Sequence, residues 1–535
     1  MNLRRNMLIP AAALVLLVSS CNYLDVSDQL AGGLQNTDEV FENVSYTKRW
    51  YASIFTGIPD YSGLNSTNVN GFKNPWASIC DELVTGYGNA SKYNNSDKNA
   101  TNVSFHRYGD CYKAIRQANI FLQKAHVITA GGTQGDELLE PELKRYQANA
   151  RFMRAFYHYL LFEQYGPIII VGDKVYEATE SQDMSRNSVD EVVEYLDKEL
   201  LASADELSQE PIIDENYRAE PTKGVALAVR AKMWVYAASP LLNGGFNEAL
   251  NIANPDGKKL FPIADAAKWE RARQACADFI NYANENNRYE LYYAAPEKNG
   301  VVNPEKSVYE LFQKYTKEII WATATADWGG LDGDAFDRRI VPRTEQNGLG
   351  STGVTQELVD AFYMNDGLPI RGTTYLPASP QYTEEGMSTY TETNVDPIKG
   401  GKEYTPVNVS NRFINREARF YNTVFFNGRQ WPVTCNTIQF YNGGNAGQQN
   451  GQYTQTGYML FKRFNRRISK TSPGVSSRYR PSIIFRLADF YLLYAEAANE
   501  VNPNDPVVLE YLNKVRHRAG PVSYTHLTLP TNREV

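Results

Sequence analysis

The residues of this chain best suited to chemistry are aromatic rings set beside forked polar groups. Asn74-Pro75-Trp76 stands just ahead of Asp81-Glu82. Trp321 and Trp328 bracket a polar stretch ending in Arg338, Arg339 and Arg343, and Asn427, Arg429 and Trp431 form a third set. An indole offers a flat apolar face with a polar tip, while carboxylates, carboxamides and guanidiniums carry paired acceptors or donors. A sugar ring needs both, because its C–H face stacks on an aromatic and its rim of hydroxyls needs forked partners. Most large aromatics are core residues. Trp328 is the best exception, since Ala326-Asp327-Trp328-Gly329-Gly330 has the composition of an exposed turn. The candidate ligand-binding residues are Trp76 and Asp81 on one side, with Trp328 and Arg338 on the other.

Other motifs carry less. Gly348-Leu349-Gly350-Ser351-Thr352-Gly353 matches G-x-G-x-x-G and precedes a helical run, but no strand–helix–strand unit surrounds it, so a flexible turn is expected in place of a dinucleotide site. Asp332-Gly333-Asp334-Ala335-Phe336-Asp337 has carboxylates for calcium. Yet Phe336 stands where an oxygen ligand belongs, so a solvated acidic turn is expected. The five histidines, His106, His126, His158, His517 and His526, never reach H-E-x-x-H or H-x-x-x-H spacing. There is no G-x-S-x-G elbow and no Walker A sequence. A glycosidase needs only two carboxylates across a cleft, and no segment presents such a pair. The expectation is a protein without catalytic residues, metal or cofactor.

Composition points the same way. Lys plus Arg number 54 against 61 Asp plus Glu, a formal charge of −7, which disfavours a phosphate-tracking nucleic-acid binder. Seven Trp, 36 Tyr and 23 Phe make the chain 12% aromatic, with tyrosine heavily used. Arg4 and Arg5 precede an apolar run from Met7 to Val18 and then Ser19-Ser20-Cys21. That is an export signal, too short to span a bilayer at the roughly 20 residues required. Leu17-Val18-Ser19-Ser20-Cys21 reads as a lipobox, with Cys21 lipidated and residues 1–20 removed; an ordinary secreted protein is the alternative. Several acyl chains on one residue give durable anchoring. Cys80, Cys111, Cys276 and Cys435 remain; they allow three pairings, and buried free thiols are the expected state.

These groups have to be positioned by helices. Apolar and small residues recur three and four apart over Cys111 to Ala125 and from Glu140 until Tyr165-Gly166-Pro167, which stops that helix. Ser188-Val189-Asp190-Glu191 is a capping box. Pro221-Thr222-Lys223-Gly224 opens another helix, with Leu227, Ala231, Trp234 and Ala238 on one face. Helical runs follow at Ala266 to Tyr282, Leu487 to Ala498 and Val508 to Ala519. Alanines among aromatics let paired helices approach closely, so the expected fold is mainly α. It would consist of degenerate tetratricopeptide-like helical pairs forming a scaffold, with a loop-rich irregular lobe inserted; an unclassified helical bundle is the alternative. The expected division is 21–288 helical, 289–480 the lobe, and 481–520 a closing helical pair. Residues 521–535 show neither helical nor strand period and are expected to be a non-native tail.

Taken together the residues resemble the SusD/RagB family of nutrient-binding outer-membrane lipoproteins of Bacteroidota. The resemblance starts at Cys21-Asn22-Tyr23-Leu24-Asp25 and continues through Ala150-Arg151-Phe152-Met153-Arg154-Ala155-Phe156-Tyr157, Tyr165-Gly166-Pro167-Ile168 and Pro221-Thr222-Lys223-Gly224. It includes Thr355-Gln356-Glu357-Leu358-Val359-Asp360-Ala361-Phe362, Phe485-Arg486-Leu487-Ala488-Asp489 and Val515-Arg516-His517-Arg518-Ala519-Gly520. It implies a tetratricopeptide-like scaffold, a variable lobe carrying a glycan site, and lipid anchoring at the outer-membrane surface. It also implies a partner, a TonB-dependent SusC-like transporter over which the lipoprotein closes like a lid. Family ligand residues vary, so none is carried over. Members normally continue with a further C-terminal segment, so the resemblance implies truncation here. A peptide or glycoprotein ligand, a transporter lid without ligand affinity, and a glycan hydrolase are the alternatives.

Overall fold

Helix follows helix wherever the sequence sets bulky and small apolar residues three and four apart. The computed structural model describes residues 37–62, 80–85, 106–129, 136–176, 180, 184–297, 299–323, 330–331, 335–345, 347–392, 403–448, 452–468 and 478–520. The leader with Cys21, both Trp76 and Trp328, and the tail 521–535 lie outside the described residues. The chain begins with α1 (Thr37–Phe41) and α2 (Val44–Ile54), then β1 (Leu83–Thr85) and α3 (Tyr108–Lys124). Helix α4 (Glu140–Tyr165) has proline in its first turn and stops at Gly166, whose φ of 66° suits a residue without a Cβ. In α5 (Val189–Glu206) the Ser188 hydroxyl accepts from the Glu191 amide while the Glu191 carboxylate accepts from the Ser188 amide, the reciprocal cap that the sequence predicts. Helices α6 (Lys223–Ala238) and α7 (Ala267–Asn284) complete the first series.

Each helix packs on the next, α2 on α3 and so on to α7. Alanine makes this possible: Ala118, Ala150, Ala155, Ala228, Ala231 and Ala275 are buried where neighbouring helices meet, with Phe152, Phe156 and Trp234 filling between them. Helix α6 is buried almost all round, as its position between α5 and α7 requires. The following elements are α8 (Pro304–Leu311), β2 (Ile319–Thr323), α9 (Phe336–Arg339), β3 (Thr352–Val354), α10 (Gln356–Ala361), β4 (Met387–Tyr390), β5 (Val407–Ser410), α11 (Ala418–Thr423), β6 (Val424–Phe425), β7 (Met459–Leu460) and β8 (Ser482–Arg486). Helices α12 (Leu487–Val501) and α13 (Pro506–Ala519) close the chain. Helix α7 packs on α12 and α12 on α13, so the helical series resumes after the irregular stretch.

Among the described residues the strands form four two-stranded antiparallel sheets, β1–β3, β2–β8, β4–β5 and β6–β7. Strand β2 is buried along its whole length, and its Ile320 and Trp321 join Phe485 of β8 in the helical core. A second core, built on Phe413, Phe420, Phe425, Phe426, Trp431 and Phe461, belongs to the irregular stretch. The described cysteines are free, and Cys111, Cys276 and Cys435 are buried. Burial pushes the Cys111 thiol up to about 12, so it stays protonated and inert.

Candidate functional site

Of the four sequence-predicted ligand residues, Asp81 and Arg338 are described. Contacts tie both to residues flanking β3. At one end the Thr355 hydroxyl donates to the Asp81 carbonyl at 2.6 Å and the Thr355 amide to the Glu82 carbonyl at 3.0 Å. At the other end Arg338 donates through Nε to the Asn347 carbonyl at 2.8 Å, and its own carbonyl accepts from the Leu349 amide at 2.7 Å. Asp81 is exposed and its carboxylate does not pair with Arg338. The six residue steps from Leu349 to Thr355 bound the separation along the chain at about 20 Å.

Trp321 of the second aromatic–polar set and Arg429 and Trp431 of the third are corrected by the structure. Trp431 is fully buried against Phe425, Phe461 and Phe464, and Trp321 donates its Nε1 proton to the Ala219 carbonyl at 2.9 Å from inside the helical core. Arg429 lies in the second core, its Nε 2.6 Å from Glu392 Oε2 and its Nη1 on the Tyr421 and Val424 carbonyls. None of the three faces a ligand. The glycines of G-x-G-x-x-G serve packing: a Cβ on Gly348 would come within 2.3 Å of the Val341 carbonyl oxygen, and one on Gly353 within 2.6 Å of two threonine hydroxyls. Asp337 also departs from expectation, since it lies fully buried on Arg480, far from a solvated turn.

A groove among the described residues is one the sequence reading did not single out. It is an open groove of about 630 Å³ at the C-terminal end of α7, bounded by residues 289–293, the turn 314–317, Tyr491 of α12 and Lys514 of α13. Ligand clefts have volumes of this order. Five tyrosines line it: Tyr289, Tyr292, Tyr293, Tyr315 and Tyr491. Tyr293 has 40% of its surface exposed. The others are held by partners, which makes the wall rigid. The Tyr292 hydroxyl donates to Glu310, the Tyr292 amide donates to Glu318 at 2.8 Å, and the Tyr315 hydroxyl lies 3.3 Å from that of Tyr479. Lys314 reaches Glu310 at 2.8 Å and stands over the Tyr292 ring. Burial works to raise the Glu310 carboxyl, but the bonds from Lys314 and Tyr292 outweigh it and hold it below its ordinary value. Burial pushes Tyr289 and Tyr491 up to about 12 and raises Tyr293 as well, so the phenols remain neutral donors at physiological pH. The signal for this site was Tyr289-Glu290-Leu291-Tyr292-Tyr293 with Lys314-Tyr315 close behind, outweighed by attention to tryptophan.

A helical scaffold presenting an aromatic, polar-rimmed groove defines a binding protein. Comparison with known proteins identifies which kind. The model of the SusD family matches residues 317–531, and a second, described as starch-binding and associating with the outer membrane, matches residues 51–235. The chain belongs to the SusD/RagB family, whose members are binding proteins, not enzymes. The first of these matches extends into the segment 521–535. The fold is shared with solved structures. The protein BT4246 superposes with a TM-score of 0.69 at 24% identity, over 90% of this chain and 83% of that one. A SusD-like protein of Bacteroides fragilis gives 0.61 at 19% identity, over 93% and 82%. A SusD-like carbohydrate-binding protein of the same species gives 0.60 at 17%, over 91% and 81%. No curated protein sequence matches the chain. Among the described residues no helix is long and apolar enough to cross a membrane.

Proposed function

We propose that this protein captures a glycan at the cell surface and delivers it, chemically unchanged, to a TonB-dependent outer-membrane transporter. The observation that carries the reading is the tyrosine-walled groove with the half-exposed ring of Tyr293. An aromatic face rimmed by amide, carboxylate and ammonium groups is what a sugar ring needs, and neutral phenols add donors and acceptors. The starch-binding description of a matching family model and the carbohydrate-binding description of one structural relative support it. Trp76, Asp81, Trp328 and Arg338 are proposed to extend the site. Strand β2 starts two residues after Lys317 in the groove wall and ends at Thr323, five residues short of Trp328.

The test is titration of the soluble chain from Asn22 against starch and a panel of plant, host and microbial glycans, by calorimetry and tryptophan fluorescence. One glycan class is expected to bind saturably without releasing new reducing ends. Tyr293→Ala should weaken it about tenfold, the size of one lost aromatic contact. Binding of peptides and of no glycan by a cooperatively melting sample would overturn the reading. Anchoring has its own test: Cys21→Ala should move the protein from the membrane fraction to the soluble fraction. Unchanged fractionation would defeat lipidation at that residue.

A further inference from the structure

We propose that the cationic cluster around Phe312 binds an anionic group, a carboxylate or a sulfate ester, carried by the captured glycan; the inference rests on the glycan reading above. Three cations converge on the Phe312 ring, with Lys462 Nζ 5.3 Å, Arg463 Cζ 5.7 Å and Arg486 Cζ 5.9 Å from its centroid. They come from different parts of the fold: Lys462 and Arg463 follow β7, Arg486 ends β8, and Phe312 follows α8. Like charges this close repel one another, so the arrangement needs partners of opposite sign.

The carboxylates nearby are already engaged. Arg486 is paired with Glu318 at 3.0 Å and Asp489 at 3.1 Å, and Glu318 also holds Arg518 at 2.6 Å. Arg419 is paired with Glu417 at 2.6 Å, and Arg463 Nη1 donates to the Tyr61 carbonyl at 3.0 Å. Among the described residues Lys462 alone of the three makes no hydrogen bond or ion pair; its ammonium stands over the Phe312 ring, with Asp489 the carboxylate whose charge reaches it. Solvent reaches its side chain. Even so, burial first, then the charges of Arg463 and Arg486, push its ammonium down to about 7, against the opposing pull of Asp489. A bound anion would supply the missing partner.

Position and sign narrow the ligand. Tyr292 and Tyr315, two walls of the groove, pack on the same small apolar cluster as Phe312, so the cationic cluster and the groove are neighbours. The whole chain is acidic at −7, which disfavours a polyanion lying across its surface and suits one localised anionic substituent. Uronic acids and sulfated sugars carry such a group.

Two experiments test this on the soluble chain from Asn22. The first needs no glycan. Melting temperatures of the wild type and Lys462→Gln are compared in sodium sulfate, sodium galacturonate and sodium chloride at equal ionic strength and pH 6. Sulfate stabilises folded proteins in general by exclusion, so the quantity read is the difference between the two proteins. Sulfate or galacturonate should raise the wild-type melting temperature more than that of the variant, and Lys462→Arg should keep most of that difference. Equal shifts in the two proteins overturn the proposal.

The second compares oligosaccharides that differ in charge: galacturonan before and after methyl esterification for the carboxylate, and carrageenan against agarose for the sulfate. One charged member should bind about tenfold more tightly than its neutral counterpart, in keeping with one charge-assisted contact. Lys462→Gln should erase that ratio. No charge preference in either pair overturns the proposal and leaves glycan capture standing. An anion-specific melting shift without binding of any glycan keeps the anion site and overturns the glycan reading.

Discussion

Asp337→Ala is expected to destabilise the fold by about 3–5 kcal/mol, the usual effect of stranding one member of a buried ion pair. Asp337 in α9 and Arg480, just ahead of β8, are both wholly inaccessible, joined at 2.9 Å and 2.5 Å through two parallel bonds. The pair ties the irregular stretch to the strand that enters the helical core, and Arg480 also donates to the Arg463 carbonyl at 2.7 Å. Its two halves are not equivalent. A guanidinium cannot shed its charge, so losing Asp337 leaves a buried cation at any pH. Losing Arg480 leaves a carboxyl that can take up a proton. Burial outweighs the attraction of Arg480 and already holds Asp337 at about 6, above its ordinary 3.8. An acid whose folded value is raised binds its proton more tightly in the fold. Its contribution to stability is therefore full below about pH 3.8 and is lost as pH rises through about 6. Arg480→Met, with only burial acting on Asp337, should accordingly be much less damaging at pH 5 than at pH 8, whereas Asp337→Ala should be more damaging at pH 5, where it also forfeits the proton that the fold holds on Asp337. Denaturation of the two variants at those pH values checks this. Loss of less than about 1 kcal/mol in Asp337→Ala would show that the pair is not the anchor described.

Helices were legible in the sequence because their signals are local. The period through Phe152, Ala155, Phe156 and Tyr159 and the stop at Gly166 lie within one turn or two of each other, as do the two halves of the Ser188–Glu191 cap. Helix α3 begins at Tyr108, three residues before the expected Cys111, because Arg107 caps it without a side-chain signal. The irregular stretch was hard for the opposite reason: its partners are far apart in the chain. Arg429 finds Glu392 at a separation of 37 residues and Asp337 finds Arg480 at 143. Read locally, Asn427-Gly428-Arg429-Gln430-Trp431 offers the same residue types whether it faces a sugar or a core. What decides is whether a distant carboxylate and a ring of phenylalanines close over it, and here they do. The groove escaped for the same reason, since its walls come from four separate segments brought together by helix packing.

Glu318→Gln is expected to lower stability by about 3–5 kcal/mol as well, and to weaken glycan binding with it. The Glu318 carboxylate is fully buried between two guanidiniums, with Arg486 on Oε1 at 3.0 Å and Arg518 on Oε2 at 2.6 Å. Its Oε2 also accepts from the Tyr292 amide at 2.8 Å, and its backbone carbonyl accepts from the Leu487 amide at 2.9 Å. One side chain thereby joins the start of β2, the junction of β8 with α12, the last turn of α13 and the groove wall. A glutamine keeps one acceptor but turns an NH₂ toward an arginine, donor against donor; it leaves Arg518 without its counter-charge and Arg486 with Asp489 alone. The segment bearing Tyr292 and Tyr293 then loses its tether, and glycan affinity should fall tenfold or more. The contrast with Tyr293→Ala is the informative one. That change removes an exposed ring and should lower affinity with the melting temperature nearly unchanged, whereas Glu318→Gln should lower both. Saturating glycan should recover part of the lost melting temperature, because a ligand that binds only the folded state stabilises it by mass action. If Glu318→Gln melts early yet binds glycan as the wild type does at low temperature, the groove is not where the sugar sits. The glycan surface would then have to be the one bearing Trp76 and Trp328.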